Sequence, residues 1–406
     1  MWHKYNQIAN FALQIPAITG IARKLTTQMT KRYISLDVLR GLTVAFMIIV
    51  NNPGSWSNIF PPLRHAAWDG CTPCDLVFPF FLFCVGTSMA FAFAKYTSLT
   101  GKAAGKIFKR GILLYLVGLL LTAFPFYPAN MNPDLTFWEN WLEWAGHLRL
   151  VGVLPRIAMC YVAGSLLVLW LRKPAKLIFS VLLLSVLHVG LLLAFAGPEG
   201  AFSLEGNFAL KVDLAVFGEN HIYKGFGIPF DPEGLLGVLT GTCTVILGYL
   251  TGMMIRSSSS RYAQTSDPSD SPVGVSARLF SISAGALLLG LALSIVVPLN
   301  KALWSVSYVV YTAGWAMFVL ALLMYMIDVK GWHKPFFPFK ALGMNALALF
   351  VLSGLIMKII WRYTDWDYTK VFGVSEEMSL LFALLYLLLH LVIAIILYRK
   401  KIFIKL

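Results

Sequence analysis

Apolar runs of about twenty residues recur along the whole chain, and they constrain its fold more than any other feature. A run of this length crosses the hydrocarbon core of a bilayer when it forms an α-helix. The composition agrees, because 58% of the 406 residues are hydrophobic and only 13% are charged. A soluble domain carries roughly 25% charged residues. Runs such as LLLSVLHVGLLLAF lack the alternation of membrane β-strands. The sequence therefore predicts an all-α polytopic membrane protein.

The predicted bundle has ten spans in a single transmembrane domain, residues 32–406. The spans are 34–51, 75–95, 107–124, 151–171, 175–196, 235–255, 277–297, 304–327, 339–361 and 378–398. Residues 1–31 lack the apolar core of a signal peptide, so we expect an interfacial or disordered extension, with Met29 as a candidate start. The Ser-rich loop 256–276 is expected to be flexible.

The distribution of basic residues predicts the orientation. With a cytoplasmic N-terminus, 23 of the 33 Lys and Arg residues lie on inner segments and 7 on outer ones. This bias follows the positive-inside rule. It predicts that both termini are cytoplasmic and that the 52–74 loop faces outward. The net charge of +14 therefore reflects topology, and no nucleic acid partner is expected.

A polar segment between the first two spans holds the candidate chemistry. His65 lies in RHAAWDG, between two tryptophans and just before a span. Histidine is the side chain most easily tuned to move protons near neutral pH, so we interpret His65 as a catalytic residue. Asp69 or Asp75 could orient its ring. Asn51 ends the first span, where its amide could donate to a carbonyl oxygen or simply form a turn with Pro53.

Charged side chains inside the membrane are costly and usually functional. Asp37 and Arg40 share one helix face, either as a structural ion pair or with Arg40 turned towards an anionic ligand. Lys109 and Arg110 could add phosphate contacts, or could only follow the positive-inside rule. Arg156 follows Pro155, which can kink its helix and open backbone carbonyls to a cavity.

Several further polar residues are candidates for ligand contacts. Asp231 and Glu233 can cap the sixth span or face a substrate amine. Asn345 is an intramembrane amide, and a helix–helix hydrogen bond is its simpler interpretation. Cys71 and Cys74 form a C-x-x-C pair with no second pair nearby, which favours packing or a disulfide over a metal site.

These motifs resemble those of the heparan-α-glucosaminide N-acetyltransferase family and its bacterial relatives. The segments SLDVLRGLTVAFMIIVNNPG and HAAWDGCTPCDLVFPFFLFCVG carry the resemblance, and GVLPRIAMCY, DPEGLLG, PLNKALWSVSYVVYTAG and GMNALALFVLSG support it. The resemblance implies that residues 32–406 form a transmembrane acyltransferase domain. In this interpretation cytosolic acetyl-CoA donates an acetyl group to a glucosamine amine on the outer side, with no metal.

The resemblance also implies roles for particular residues. It places the active-site histidine on His65 and its partner on Asn51. Candidate substrate contacts are Trp68, Asp69, Asp75, Arg156, Asp231 and Glu233, and candidate acetyl-CoA contacts are Asp37, Arg40, Lys109, Arg110 and Asn345. The cysteines of CTPC depart from the family pattern.

Other interpretations remain open at this point. Ten spans with buried polar groups would also suit an amino-sugar or N-acetylglucosamine transporter, although no internal repeat is visible. An acyltransferase acting on another cell-envelope glycan would use the same His65 chemistry. The expected location is the inner membrane, the expected partners are lipid and an amino sugar, and a homodimer is left open.

Overall fold

The computed structural model describes residues 33–128 and 130–404, and within them the chain is helical without β-strands. The predicted extension 1–31, with Met29, lies outside the described residues. In chain order the helices are α1 (Ile34–Asn51), α2 (Val77–Ala92), α3 (Gly101–Ala123), α4 (Phe137–Ala145), α5 (Val153–Leu171), α6 (Pro174–Ala194), α7 (Phe208–Phe217), α8 (Gly237–Thr265), α9 (Pro272–Leu293), α10 (Val306–Leu323), α11 (Phe337–Met344), α12 (Ala346–Tyr363), α13 (Thr369–Phe372) and α14 (Glu376–Arg399). A 3₁₀ turn, Pro73–Leu76, leads into α2.

Nine helical segments in the described part of the chain are long and apolar enough to cross a membrane. They correspond to nine of the ten predicted spans, and the predicted class of polytopic all-α membrane protein is confirmed. The one remaining predicted span, 107–124, falls in α3, a helix of 23 residues that is not among these nine. Its first half carries Lys102, Lys106, Lys109 and Arg110.

Two predicted boundaries are wrong. The segment 256–276 was expected to be a flexible loop, but α8 continues to Thr265. Arg261 and Arg278 both bind Asp270 there, at 2.7 and 2.9 Å, which ties the end of α8 to α9. The predicted span 339–361 is broken at Asn345, which separates α11 from α12.

Helix α1 lies inside the bundle, in contact with α2, α10, α11, α12 and α14. Glycines permit the close crossings: a Cβ on Gly41 would lie 1.8 Å from the Phe339 carbonyl oxygen, and one on Gly86 would lie 2.0 Å from that of Val245. Small residues at such crossings let helix backbones approach closely in a membrane. The crossings fix α1 against α11 and α2 against α8.

The periphery of the bundle exposes large apolar side chains. On α6, for example, Phe179, Leu182 and Val186 are 65%, 58% and 70% exposed. A water-facing helix rarely presents such a surface, whereas lipid accommodates it. These surfaces agree with the expected contact with membrane lipid.

Candidate active site

His65 and Arg40 mark the two ends of the α1–α2 pair. Asn51 ends α1, and the loop that carries His65 follows it, whereas Arg40 lies in the second turn of α1. We call these the His65 end and the Arg40 end of the bundle. Which end faces outward remains a prediction from the basic residues.

The ring of His65 is held by Asp75 at the start of α2. The Nδ1 atom of His65 lies 2.7 Å from Oδ1 of Asp75. A carboxylate accepts hydrogen bonds, so Nδ1 carries the proton and Nε2 keeps its lone pair. The side chain of His65 is 49% exposed, while that of Asp75 is 1% exposed. The structure therefore presents an accessible basic nitrogen on an oriented ring.

The Asp75 carboxylate is itself fixed by local hydrogen bonds. Its Oδ2 accepts from the backbone amides of Thr72 and Ala66, each at 3.0 Å, and from the Thr72 hydroxyl. Thr72 and Asp75 form a capping box for the 3₁₀ turn. The hydroxyl of Tyr308, on α10, donates to the Asp75 carbonyl oxygen. Because these bonds restrain the Asp75 carboxylate, they also fix the position of the His65 ring that is bonded to it.

Lys301, which the sequence reasoning missed, completes this cluster. Its Nζ lies 3.0 Å from Nδ1 and 3.1 Å from Nε2 of His65, and 3.7 Å from Oδ1 of Asp75. The residue lies in the segment between α9 and α10, far from His65 in sequence. One signal was available, because Lys301 is among only seven basic residues assigned to the outer face.

Asp69 and Trp68 hold the His65 loop to its neighbours. Oδ1 of Asp69 accepts from Nδ2 of Asn300 at 3.0 Å. The indole of Trp68 donates to the Phe202 carbonyl at 2.8 Å and packs edge-on against Phe230. In this arrangement both side chains connect loops, and a substrate contact for either stays a prediction.

Asp231 and Glu233 bind Arg149. Arg149 donates to both carboxylate oxygens of Asp231, at 2.8 and 2.6 Å, and also to Glu233. These ion pairs place the DPEG segment at the start of α8. A contact of either carboxylate with a substrate amine stays a prediction.

Arg156 is 1% exposed and lies over the Trp304 ring at 4.7 Å. It donates to the Pro232 carbonyl. Gly237 makes room for it, because a Cβ there would lie 1.5 Å from Nη2 of Arg156. The buried guanidinium thus packs within the bundle, and its proposed substrate contact also stays a prediction.

Asn51 opens into a cavity of about 750 Å³ between the ends of α1 and α12. The cavity is lined by tryptophans, two carboxylates and polar groups, including Trp56, Trp361, Trp366, Asp365 and Asp367. His65 is not among its lining residues. Asn51 thus faces this cavity and His65 faces Lys301, and the pairing of the two residues that the resemblance implies stays a prediction.

A second cavity, of about 590 Å³, lies at the Arg40 end. Arg40 and Arg110 line it, together with apolar side chains that include Phe81 of α2 and Ile157 of α5. Arg40 donates to Ser88 and to the Gly343 carbonyl oxygen, and lies 3.7 Å from Asp37. The guanidinium of Arg110 lies 4.9 Å from the Tyr161 ring centre.

The other predicted acetyl-CoA contacts lie outside this lining. Lys109 is exposed on α3, and Asp37 is 4% exposed on α1. The Asn345 side chain donates to the Ile402 carbonyl at 3.0 Å and accepts from the Ile404 amide at 2.8 Å. These bonds hold the C-terminal segment, in which Phe403 and Ile404 border the cavity. Asn345 therefore shapes the cavity indirectly.

The two cavities share no lining residue. Arg40 and Asn51 are eleven residues apart on α1, which corresponds to about 16 Å. The cavity at the Arg40 end reaches Phe81, six residues or about 9 Å along the chain from Asp75. Phe78 lies in between and packs against Trp304 at 4.9 Å. The Arg40 cavity therefore does not reach the His65 cluster, because neither His65 nor Asp75 is among its lining residues.

The five cysteines are free, so Cys71 and Cys74 form no disulfide. Burial raises the pKa of the Cys71 thiol to about 12. Cys74 is 2% exposed and its sulfur lies 3.2 Å from Nδ1 of His65. No group of three or more His, Cys, Asp or Glu side chains suited to a metal occurs within residues 33–128 and 130–404.

The fold and this site define a polytopic membrane protein with a histidine–carboxylate pair at one end and a basic cavity at the other. Residues 32–199 match the family of heparan-alpha-glucosaminide N-acetyltransferase catalytic regions. The chain is also 28% identical to the heparan-alpha-glucosaminide N-acetyltransferases of Mus musculus and Homo sapiens, over 91% of its own length. It spans about 60% of the length of these curated relatives. The predicted resemblance to this family is thereby confirmed.

Proposed function

We propose that this protein transfers an acetyl group from acetyl-CoA, bound at the Arg40 end, to the amine of a glucosamine-type sugar at the His65 end. In this proposal it is a multi-pass inner-membrane N-acetyltransferase whose Arg40 end and termini are cytoplasmic. The observation that carries the proposal is the His65–Asp75 pair, with Nδ1 bonded at 2.7 Å and the ring 49% exposed. The similarity to named N-acetyltransferases supports it.

The cavity at the Arg40 end fits the chemistry of acetyl-CoA. Arg40 and Arg110 can bind phosphate groups, for which the guanidinium fork is well suited. The apolar side chains that line the rest of the cavity suit the pantetheine arm, which would extend towards Phe81. In this proposal the rings of Phe78 and Trp304 move aside so that the thioester can reach His65. A conformational step of this kind would keep the two sides of the membrane separate between turnovers.

The cavity at Asn51 fits an amino sugar. Trp56, Trp361 and Trp366 are exposed by 69%, 76% and 51%, so their ring faces are available for stacking. Asp365 and Asp367 line the same cavity and would attract an ammonium group. In the proposed enzyme this cavity admits the acceptor, and Asn51 orients it on its way to His65, which lies outside the lining.

His65 would act as the general base for the acceptor amine. Asp75 fixes the tautomer in which Nε2 is free, and the amine gives its proton to Nε2 as it attacks the thioester carbonyl. The proton then passes to the departing CoA thiolate. Alternatively, Nε2 first takes the acetyl group and the amine then removes it. Both routes use the same nitrogen, and a trapped acetyl-enzyme would distinguish them.

Proteoliposomes test the proposal directly. Purified protein is reconstituted in one orientation with acetyl-CoA labelled in its acetyl group at the Arg40 side and glucosamine at the His65 side. We expect labelled N-acetylglucosamine at the His65 side and free CoA at the other. His65→Ala should abolish the product, whereas His147→Ala, which changes an exposed histidine just after α4, should not.

Two other outcomes would redirect the interpretation. If glucosamine crosses the membrane and no labelled product forms, the acetyltransferase proposal is wrong and a transporter is favoured. If glucosamine is inert but acetyl-CoA is consumed when membrane glycans are supplied, the His65 chemistry stands and the acceptor is another cell-envelope glycan.

A further inference from the structure

We infer that Lys301 is a catalytic residue that binds the negative charge formed on the thioester oxygen during acetyl transfer at His65. This inference rests on the proposed function and adds a role that the sequence motifs do not assign. It follows from the position of the Lys301 ammonium relative to the imidazole ring.

The ammonium lies over the face of the His65 ring. Its distances to the two ring nitrogens are nearly equal, 3.0 Å to Nδ1 and 3.1 Å to Nε2. If Nζ lay in the plane of the ring at these two distances, it would collide with ring carbon atoms, such as Cε1 between the two nitrogens. Nζ must therefore lie above the ring plane. The lone pair of Nε2 points along the plane and therefore remains open to a substrate.

Lys301 is held in this position by contacts between two loops. The backbone amide of Gly70 donates to the Leu299 carbonyl at 2.7 Å. Asn300 donates to Asp69 at 3.0 Å, and its own Oδ1 accepts from the Leu303 amide at 2.7 Å. The residues before Lys301 in the chain are thus bonded to the His65 loop, and Asn300 is also bonded to the segment that leads into α10. A charge that is already in place needs no rearrangement when the transition state forms.

The charge balance of the cluster also suits this role. Lys301 lies 3.7 Å from the buried Asp75 carboxylate, and its side chain is 20% exposed. One ammonium and one carboxylate leave the cluster neutral before the reaction. When a nucleophile attacks the thioester, one further negative charge forms on the carbonyl oxygen. The Lys301 ammonium, 3.1 Å from Nε2, then lies close to a carbonyl carbon placed at Nε2.

The step is balanced without proton transfer from Lys301. As the nucleophile bonds to the carbonyl carbon, the C=O electron pair moves to oxygen, and the ammonium stabilises it by charge and hydrogen bonding. The pair returns when the C–S bond breaks, and the sulfur leaves as thiolate. When the amine attacks directly, His65 holds the proton that the amine loses and returns it to that thiolate. When Nε2 attacks first, the thiolate leaves as the bond from Nε2 to the acetyl carbon forms and takes a proton from water. Nε2 then accepts the amine proton once the amine has broken that bond, and releases it to water. Lys301 is unchanged after the cycle, whether or not an acetyl-histidine forms.

Two neighbouring residues are weaker candidates for this role. Asn51, which the resemblance pairs with the histidine, lines the cavity between α1 and α12, which His65 does not border. Cys74 lies 3.2 Å from His65, but it is 2% exposed and lies closer to Nδ1 than to Nε2. Lys301 alone among these three combines positive charge with contact to Nε2.

The experiment compares Lys301→Met and Lys301→Arg with a control, Lys224→Met, in an exposed lysine of the loop before α8. We expect Lys301→Met to lower kcat by about 10²- to 10³-fold, as removal of an oxyanion donor does elsewhere. Its KM for acetyl-CoA should stay within about threefold of the original value if the charge acts mainly in the transition state. Lys301→Arg should recover part of the lost rate, and Lys224→Met should match the unmodified protein.

A binding measurement separates this role from a structural one. S-carboxymethyl-CoA carries a carboxylate one bond beyond the position of the thioester carbonyl, so it places a negative charge next to the position of the oxyanion. Its affinity should fall about 10- to 100-fold in Lys301→Met, which corresponds to loss of a charged hydrogen bond. The affinity for CoA itself, which lacks that carboxylate, should not change. Equal losses for both ligands would indicate a general distortion and would overturn the inference.

The inference and the proposed function can fail separately. If the unmodified protein transfers no acetyl group, the proposed function is wrong. If it does transfer acetyl and Lys301→Met has the same kcat and the same affinity for S-carboxymethyl-CoA, the proposed function stands and the role of Lys301 is excluded.

Discussion

The His65 end and the Arg40 end differ in how firmly their polar groups are held. At the His65 end, the Asp75 carboxylate accepts hydrogen bonds from His65, Ala66 and Thr72. The Lys301 ammonium lies against both His65 and Asp75. At the Arg40 end, two arginines border a cavity of about 590 Å³ whose remaining lining is largely apolar. The first arrangement suits bond making and breaking, which needs fixed geometry. The second leaves space, which suits binding of a long flexible ligand. The comparison predicts different kinetic effects at the two ends.

The largest effect is expected for His65→Ala. Loss of a general base typically lowers kcat about 10²- to 10⁴-fold. Since the side chain is half-exposed, the thermal unfolding midpoint should change little. Steady-state kinetics with labelled acetyl-CoA measures the change, and His147→Ala serves as the control. A raised KM with unchanged kcat would contradict the assignment of chemistry to this end.

The next effect is expected for Arg40→Ala. Loss of a charged hydrogen bond to phosphate costs about 1.5–3 kcal/mol, so KM for acetyl-CoA should rise about 10- to 100-fold. The kcat value should be nearly unchanged, which is the reverse of the His65 result. The control is Lys102→Ala, which removes an exposed lysine at the start of α3 and should leave KM unchanged. If kcat falls instead, the Arg40 cavity does not act as a separate binding region.

A smaller effect is expected for Phe403→Ala. Phe403 borders the Arg40 cavity in the segment whose backbone is held by Asn345. Removing the ring enlarges the cavity entrance without touching His65, so KM for acetyl-CoA should fall severalfold at constant kcat. Titration with CoA measures the same change as a binding constant. Weaker CoA binding would show that the ring contacts the ligand and does not restrict entry.

The smallest effect concerns stability near the His65 end. Burial raises the pKa of the Asp213 carboxyl, on α7, from 3.8 to about 7. The unfolded chain loses this proton near pH 4 and the folded chain holds it to about pH 7, so stability falls as pH rises across this interval. We expect the unfolding midpoint to drop by a few degrees between pH 5 and 8. Asp213→Asn keeps a neutral side chain at this position and should flatten the profile. An unchanged profile in that variant would exclude Asp213 as the cause.

The spans were predictable because lipid leaves the backbone few alternatives. Polar backbone groups have no partners in the hydrocarbon core, so apolar segments of sufficient length form helices. This rule located nine candidate spans, and it also located the polar loop with His65. It failed at Asn345, where the helix breaks and the side chain bonds to Ile402 and Ile404, more than fifty residues away. It failed again at 256–276, where the helix is stabilised by pairing of Arg261 and Arg278 with Asp270.

The sequence by itself determined the membrane class, the candidate histidine and two acidic residues that could orient it. Local spacing could not choose between Asp69 and Asp75, because both lie within ten residues of His65. The tertiary structure placed Asp75 against the ring, turned Asp69 to Asn300 and brought Lys301 to His65 from 236 residues away. It also placed Asn51 in a cavity that His65 does not border. The physical reason is that helix formation depends on local hydropathy, whereas a site depends on how separate helix ends pack together.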